Sequence, residues 1–201
     1  MPEAGLILLA AGEASRMGRP KQLLPVDGVP MLRRAATFAL ASRCRPVVVV
    51  CGARSAEVAA CVDGLPVRVV ENPRWQEGIG ASIRAGLVEI ERSGAGAAVI
   101  ALADQPLVGP ACFANLVRAW ERGAGLAVAS GYAGTIGVPA LFDRALFPRL
   151  AALPAGEGCK KLLLELDPRL VAHESCEEAA VDIDTPGDYE RLAADLVPNP
   201  D

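Results

Sequence analysis

The sequence predicts an α/β fold with a mostly parallel sheet covered by helices on both faces. Three observations predict it. Short apolar runs alternate along the chain with stretches of helical pattern. The runs are apolar at nearly every position, as strands buried on both faces must be. The first run opens into a loop of small residues and cations, the arrangement by which an α/β protein grips a phosphorylated ligand.

Strands are expected in order at residues 6–10, 47–51, 67–70, 98–102, 126–130 and 170–172. The first is Leu6-Ile7-Leu8-Leu9-Ala10, and the second holds four consecutive valines, Val47 to Val50. Helical patterns fall near 30–41, 56–62, 81–91, 110–121 and 159–165. A last helix is expected at 186–196, where Thr185 suits the N-cap, Pro186 the first helical position and Asp188 the positive helix end. Residues 131–141 are glycine-spaced and read as an irregular active-site segment. The final residues 198–201 should fray.

The chain of 201 residues suits one domain, 1–201, with a full core. It is 52% hydrophobic but only 4% aromatic, so Ala, Val and Leu must build that core. Net charge is −4, which argues against general binding to nucleic acid or acidic membranes. Residues 1–50 nevertheless hold seven Lys/Arg against three Asp/Glu, which fits an anionic ligand bound there. Six scattered cysteines form no C-x-x-C, and the lone His173 cannot complete a usual zinc set with them. The first apolar run has no basic region before it and is too short to span a bilayer, so a cytoplasmic protein is expected.

Four segments carry candidate chemistry. The first is Ala10-Ala11-Gly12, then Ser15-Arg16-Met17-Gly18, then Lys21. Small residues admit a ligand to the backbone N–H groups, and the cations offset phosphate charge. It is neither G-x-G-x-x-G nor G-x-x-x-x-G-K-[ST]. The second is Ala103-Asp104-Gln105-Pro106, where a strand delivers Asp104 to the crevice and Pro106 stops it. One carboxylate there suits Mg²⁺, which takes one or two carboxylates plus phosphate oxygens and water.

The third is Asp182-Ile183-Asp184-Thr185-Pro186, which alternation reads as a short strand with both acids on one face. Two like charges so placed need a cation or donors between them. The fourth runs from Glu71 to Leu87, where Gly78, Gly80 and Ser82 put small groups and free N–H donors at a helix start. Trp75 suits a pocket wall and ordinary packing about equally.

These motifs, in this order, resemble the MobA/MocA-like nucleotidyltransferases over residues 5–195. The Ala10-Ala11-Gly12 form resembles most the molybdenum cofactor cytidylyltransferase branch. The resemblance implies a Rossmann-like three-layer α/β/α fold of the nucleotide-diphospho-sugar transferase type. It implies nucleotide contacts from Ala10, Ala11, Gly12, Arg16, Lys21, Gly78, Ser82 and Asp104, with Arg16, Lys21 and Asp104 catalytic. It implies Mg²⁺ on Asp104 and on Asp184 or Asp182. Gly137 and Pro139 stand in a segment like the family's Gly-x-Pro-x-x-Phe, which faces the second substrate, although Val138 replaces the histidine many members carry. Lys160 matches loosely an anion site for the acceptor.

The implied reaction moves CMP from CTP to a phosphorylated acceptor, molybdopterin, with release of pyrophosphate and a transient contact with a molybdoenzyme. Competing readings are the same fold with GTP or with a sugar or polyol phosphate acceptor, an oxidoreductase on this scaffold, and a non-enzymatic cofactor-insertion chaperone.

Overall fold

A computed structural model describes residues 3–13, 17 and 20–196. Among the described residues the strands are β1 Ala4–Ala10, β2 Pro25–Val26, β3 Val29–Pro30, β4 Val47–Cys51, β5 Arg68–Glu71, β6 Ala97–Leu102, β7 Ala127–Tyr132, β8 Thr135–Asp143 and β9 Val171–Ser175. Its α-helices are α1 Met31–Ala41, α2 Ser55–Cys61, α3 Ile79–Ser93, α4 Pro110–Glu121, α5 Phe147–Ala151, α6 Cys159–Glu165 and α7 Pro186–Leu196. No described helix is long and apolar enough to cross a membrane.

Seven strands form one sheet in the order β5-β4-β1-β6-β8-β7-β9. The pairs β5·β4, β4·β1, β1·β6 and β7·β9 are parallel. Side-chain alternation along β1 divides the core. Leu6, Leu8 and Ala10 enter a cluster with residues of α1, α2 and α4, while Ile7 and Leu9 enter another with residues of α3, α5 and α6. These two clusters on opposite faces make the three-layer α/β/α arrangement. The N-terminal ends of β1 and β6 align, Ala4 opposite Ala97, so their carboxyl ends reach the same crevice.

The segment 131–141 departs from its expected irregularity. It closes a hairpin and becomes β8, which runs antiparallel between β6 and β7. Its glycines serve the hairpin. Ala133 and Gly134 both take positive φ, 46° and 72°, as a tight turn between twisted strands requires. Gly137 lies against the Tyr132 ring, where a Cβ would collide with the hydroxyl. The small hairpin of β2 and β3, turned at Asp27-Gly28, was not expected, nor was α5.

The expected strand at 182–184 is also corrected. These residues form no strand, and Ile183 is fully buried between the two acids. Their ladder partner is a single bond, Ile183 N–H to the Asp104 carbonyl, 3.0 Å. The helix after them starts as expected. Asp188 accepts from the Thr185 N–H at 2.7 Å, and its own N–H reaches the Thr185 hydroxyl at 3.3 Å. A third cluster joins Met17, Leu24, Val26 and Met31 to Ile183 and Leu192, so α7 packs against the amino-terminal segment.

Candidate active site

The first loop leaves β1 through Ala10 and Ala11, both buried, and reaches the exposed Gly12. Gln22 holds its shape. The Gln22 amide donates to the Ala10 carbonyl at 3.1 Å and to the Gly12 carbonyl at 2.7 Å. Two carbonyl acceptors on one side fix which end of the amide is nitrogen. Arg16, with Ala14, Ser15, Gly18 and Arg19, lies outside the described residues.

Asp104 stands two residues beyond β6, in a turn anchored by the Ala103 N–H on the Leu9 carbonyl, 3.1 Å. Gln105 behind it is buried and donates to the Ala179 carbonyl at 2.9 Å and the Val138 carbonyl at 3.3 Å. The strand-end acid is therefore tied both to β8 and to the segment that leads to Asp184. Lys21 completes the cluster. Its Nζ lies 2.6 Å from Asp104 Oδ2 and 2.7 Å from Asp184 Oδ1, with only 13% of its side chain exposed.

The electrostatics follow from this packing. Burial alone would lower the Lys21 pKa, but the charges and hydrogen bonds of Asp104 and Asp184 outweigh it and hold the ammonium above its ordinary value. Asp182 has its carboxyl raised, first by partial burial and then by the Asp104 charge, although its surface is largely exposed. Lys21 touches Asp184 and not Asp182 in the hydrogen bonds of this cluster.

A cavity of about 350 Å³ adjoins the cluster, lined among others by Ala11, Gly12, Lys21, Trp75, Ser82 and Asp104. Both readings of Trp75 hold at once: it walls the cavity, and it packs on Gly52, where a Cβ would sit 2.5 Å from the Trp75 Cβ. Ser82 is held by the Asn72 amide at 3.1 Å. The expected free donors at this helix start are partly spent. The Gly80 N–H goes to the Ala155 carbonyl at 2.8 Å, so Gly80 admits the 154–157 backbone rather than a ligand. Gly78, at φ +118°, packs on the same segment and still lines the cavity.

Gly137, Pro139 and Lys160 are not among the residues lining that cavity. Pro139 is buried, and its carbonyl accepts from Ser130 at 2.6 Å. Lys160 is exposed on α6, beside a Lys161 paired with Glu157 at 2.7 Å. Sequence reasoning gave no role to three buried amides: Gln22, which holds the loop, Asn72, which holds Ser82, and Gln105, which ties the Asp104 turn to β8 and to Ala179. Their one signal was a polar residue in or next to each motif.

Among the described residues no group of three or more His, Cys, Asp or Glu is placed to hold a metal. A site of two carboxylates completed by phosphate and water is a different case, and the residues fit it. Asp104 and Asp184 already converge on one cation, the Lys21 ammonium, and Asp104 Oδ1 is buried without a hydrogen-bond partner.

Residues 6–170 match the model of the MobA-like NTP transferase domain. The nicotine blue oxidoreductase of Paenarthrobacter nicotinovorans is 32% identical, covering 92% of this chain and 94% of its own. The molybdenum cofactor guanylyltransferase of Rhodobacter capsulatus is 30% identical, covering 92% of each. The crystal structure of Rv0371c from Mycobacterium tuberculosis aligns with a TM-score of 0.79 at 30% identity, covering 96% of this chain and 99% of that one. The same protein has been solved with manganese and aligns at a TM-score of 0.76.

Proposed function

Because this chain belongs to the MobA-like NTP transferase family and is a nucleotidyltransferase, we propose that it moves CMP from CTP to the terminal phosphate of molybdopterin. The convergence of Lys21, Asp104 and Asp184 beside the cavity carries this reading.

The chemistry follows from charge. The acceptor phosphate is a nucleophile at neutral pH, so the reaction needs no general base. An acceptor oxygen bonds to the α-phosphorus, the bond to the bridging oxygen of the β-phosphate breaks, and pyrophosphate leaves with the electron pair. Alignment and charge neutralisation are what the protein must supply. The cavity walled by Trp75 and floored by Ala11, Gly12 and Ser82 takes the nucleoside. Lys21, with Arg16, steadies the β- and γ-phosphates as they depart. Asp104 and Asp184 hold Mg²⁺, which when bound neutralises charge on the phosphate oxygens. The acceptor is placed on the β8 side, where the Val138 carbonyl meets Gln105 next to Asp104; Gly137 and Pro139 are buried there and shape that side rather than touch the acceptor.

Molybdopterin as acceptor is supported by the Rhodobacter relative, whose name states a molybdenum cofactor substrate. That same relative favours a second reading, GTP in place of CTP. The Paenarthrobacter relative is named an oxidoreductase, but this chain carries no G-x-G-x-x-G. Pyrophosphate release, assayed with each NTP and a panel of phosphorylated acceptors including molybdopterin, tests the proposal. Release with CTP and molybdopterin is expected. No release with any pair would move the protein toward a binding or insertion role.

A further inference from the structure

We propose that Lys21 is an internal placeholder for the divalent cation, and that metal entry expels its ammonium from between Asp104 and Asp184 and frees it for the triphosphate. This rests on the metal placement just given.

The geometry makes the two cations exclusive. Nζ lies 2.6 Å from an oxygen of Asp104 and 2.7 Å from one of Asp184, so both carboxylates aim at the point where it sits. A divalent cation held by these two carboxylates would compete for that point. The ammonium satisfies the pair without using all of it, since Asp104 Oδ1 remains buried and unpartnered. A cation with six coordination positions can use oxygens that an ammonium with three N–H donors leaves unpaired. The lysine stem has four rotatable carbons, so its head can swing while its base stays in the short 3₁₀ turn Lys21–Leu23. The cation that holds the two acids together in the resting protein thus becomes the one that meets the leaving group.

The test is titration of nucleotide-free protein with Mn²⁺, read by calorimetry and by the electron paramagnetic resonance of free Mn²⁺. Lys21→Met should bind Mn²⁺ at least tenfold more tightly than the wild type. Equal or weaker binding overturns the exchange. Asp104→Asn separates the two claims. If Asp104→Asn abolishes binding while Lys21→Met leaves it unchanged, the exchange alone fails. If Mn²⁺ binds Asp104→Asn as it binds the wild type, the metal placement fails too. Should Lys21→Met not fold, reductive methylation of the wild type followed by mass spectrometry gives the same answer. Millimolar Mg²⁺ without nucleotide should speed modification of Lys21 several-fold relative to the exposed Lys160. An unchanged ratio overturns the proposal.

Discussion

Ile183 donates its backbone N–H to the Asp104 carbonyl at 3.0 Å. That one bond brings the carboxyl-terminal acidic segment to the end of β6. Ile183 itself is buried in the cluster that contains Met17 and Leu24, so the same residue joins both acids to the amino-terminal loop. With its side chain fixed inward, the flanking Asp184 turns toward Lys21. The cluster is thus assembled by a buried isoleucine rather than by the charges alone.

Lys21→Ala and Arg16→Ala should each weaken binding of CTP with Mg²⁺ by roughly 1.5–3 kcal/mol, the cost of one charged hydrogen bond. Calorimetric titration measures it. Unchanged affinity in both variants would remove the triphosphate from this loop.

Asp104→Asn should lower turnover by about 10²-fold or more, since it keeps the shape but removes a charge that holds the metal. The fold should persist, because Asp184 remains to pair with Lys21. Pyrophosphate release and a melting curve on the same sample check both halves. Near-normal release would refute the assignment.

CTP should raise the melting temperature more than GTP does, because a ligand bound only by the folded state stabilises it. The motive is the Ala10-Ala11-Gly12 entry. A larger shift with GTP would assign the protein the other nucleotide.

Gly80→Ala should destabilise the fold by about 1–3 kcal/mol, as overpacking does. The new Cβ would meet the carbonyl oxygens of Pro154 and Ala155, which are backbone and cannot rotate away. Urea denaturation reads the loss. Gly12→Ala, whose Cβ would meet nothing within 4 Å, serves as the control and should leave the midpoint in place.

The sequence by itself determined the elements whose signals are local. The valine strand at 47–51 and the helix at 110–121 lie where their apolar patterns place them. Thr185 caps α7 because a cap is decided by residues three apart. Asp104 stands just past a strand end, where the apolar run and the Pro106 that follows it place it. Local chemistry also suggested the family, since its motifs are short and ordered.

Tertiary structure decided the rest. Glycine spacing at 131–141 reads as a loop until β6 and β7 offer edges for β8 to pair with. The glycine at position 80 looks the same whether it admits a phosphate or a neighbouring backbone, and only the approach of residues 154–157 shows which. The Gln22 amide is a buried tether only because Ala10 and Gly12 turn their carbonyls toward it. Lys21, Asp104 and Asp184 are distant in the chain and carry no mark of pairing. Their meeting depends on which strands lie side by side and on what the core buries at Ile183, and neither is encoded in any local window.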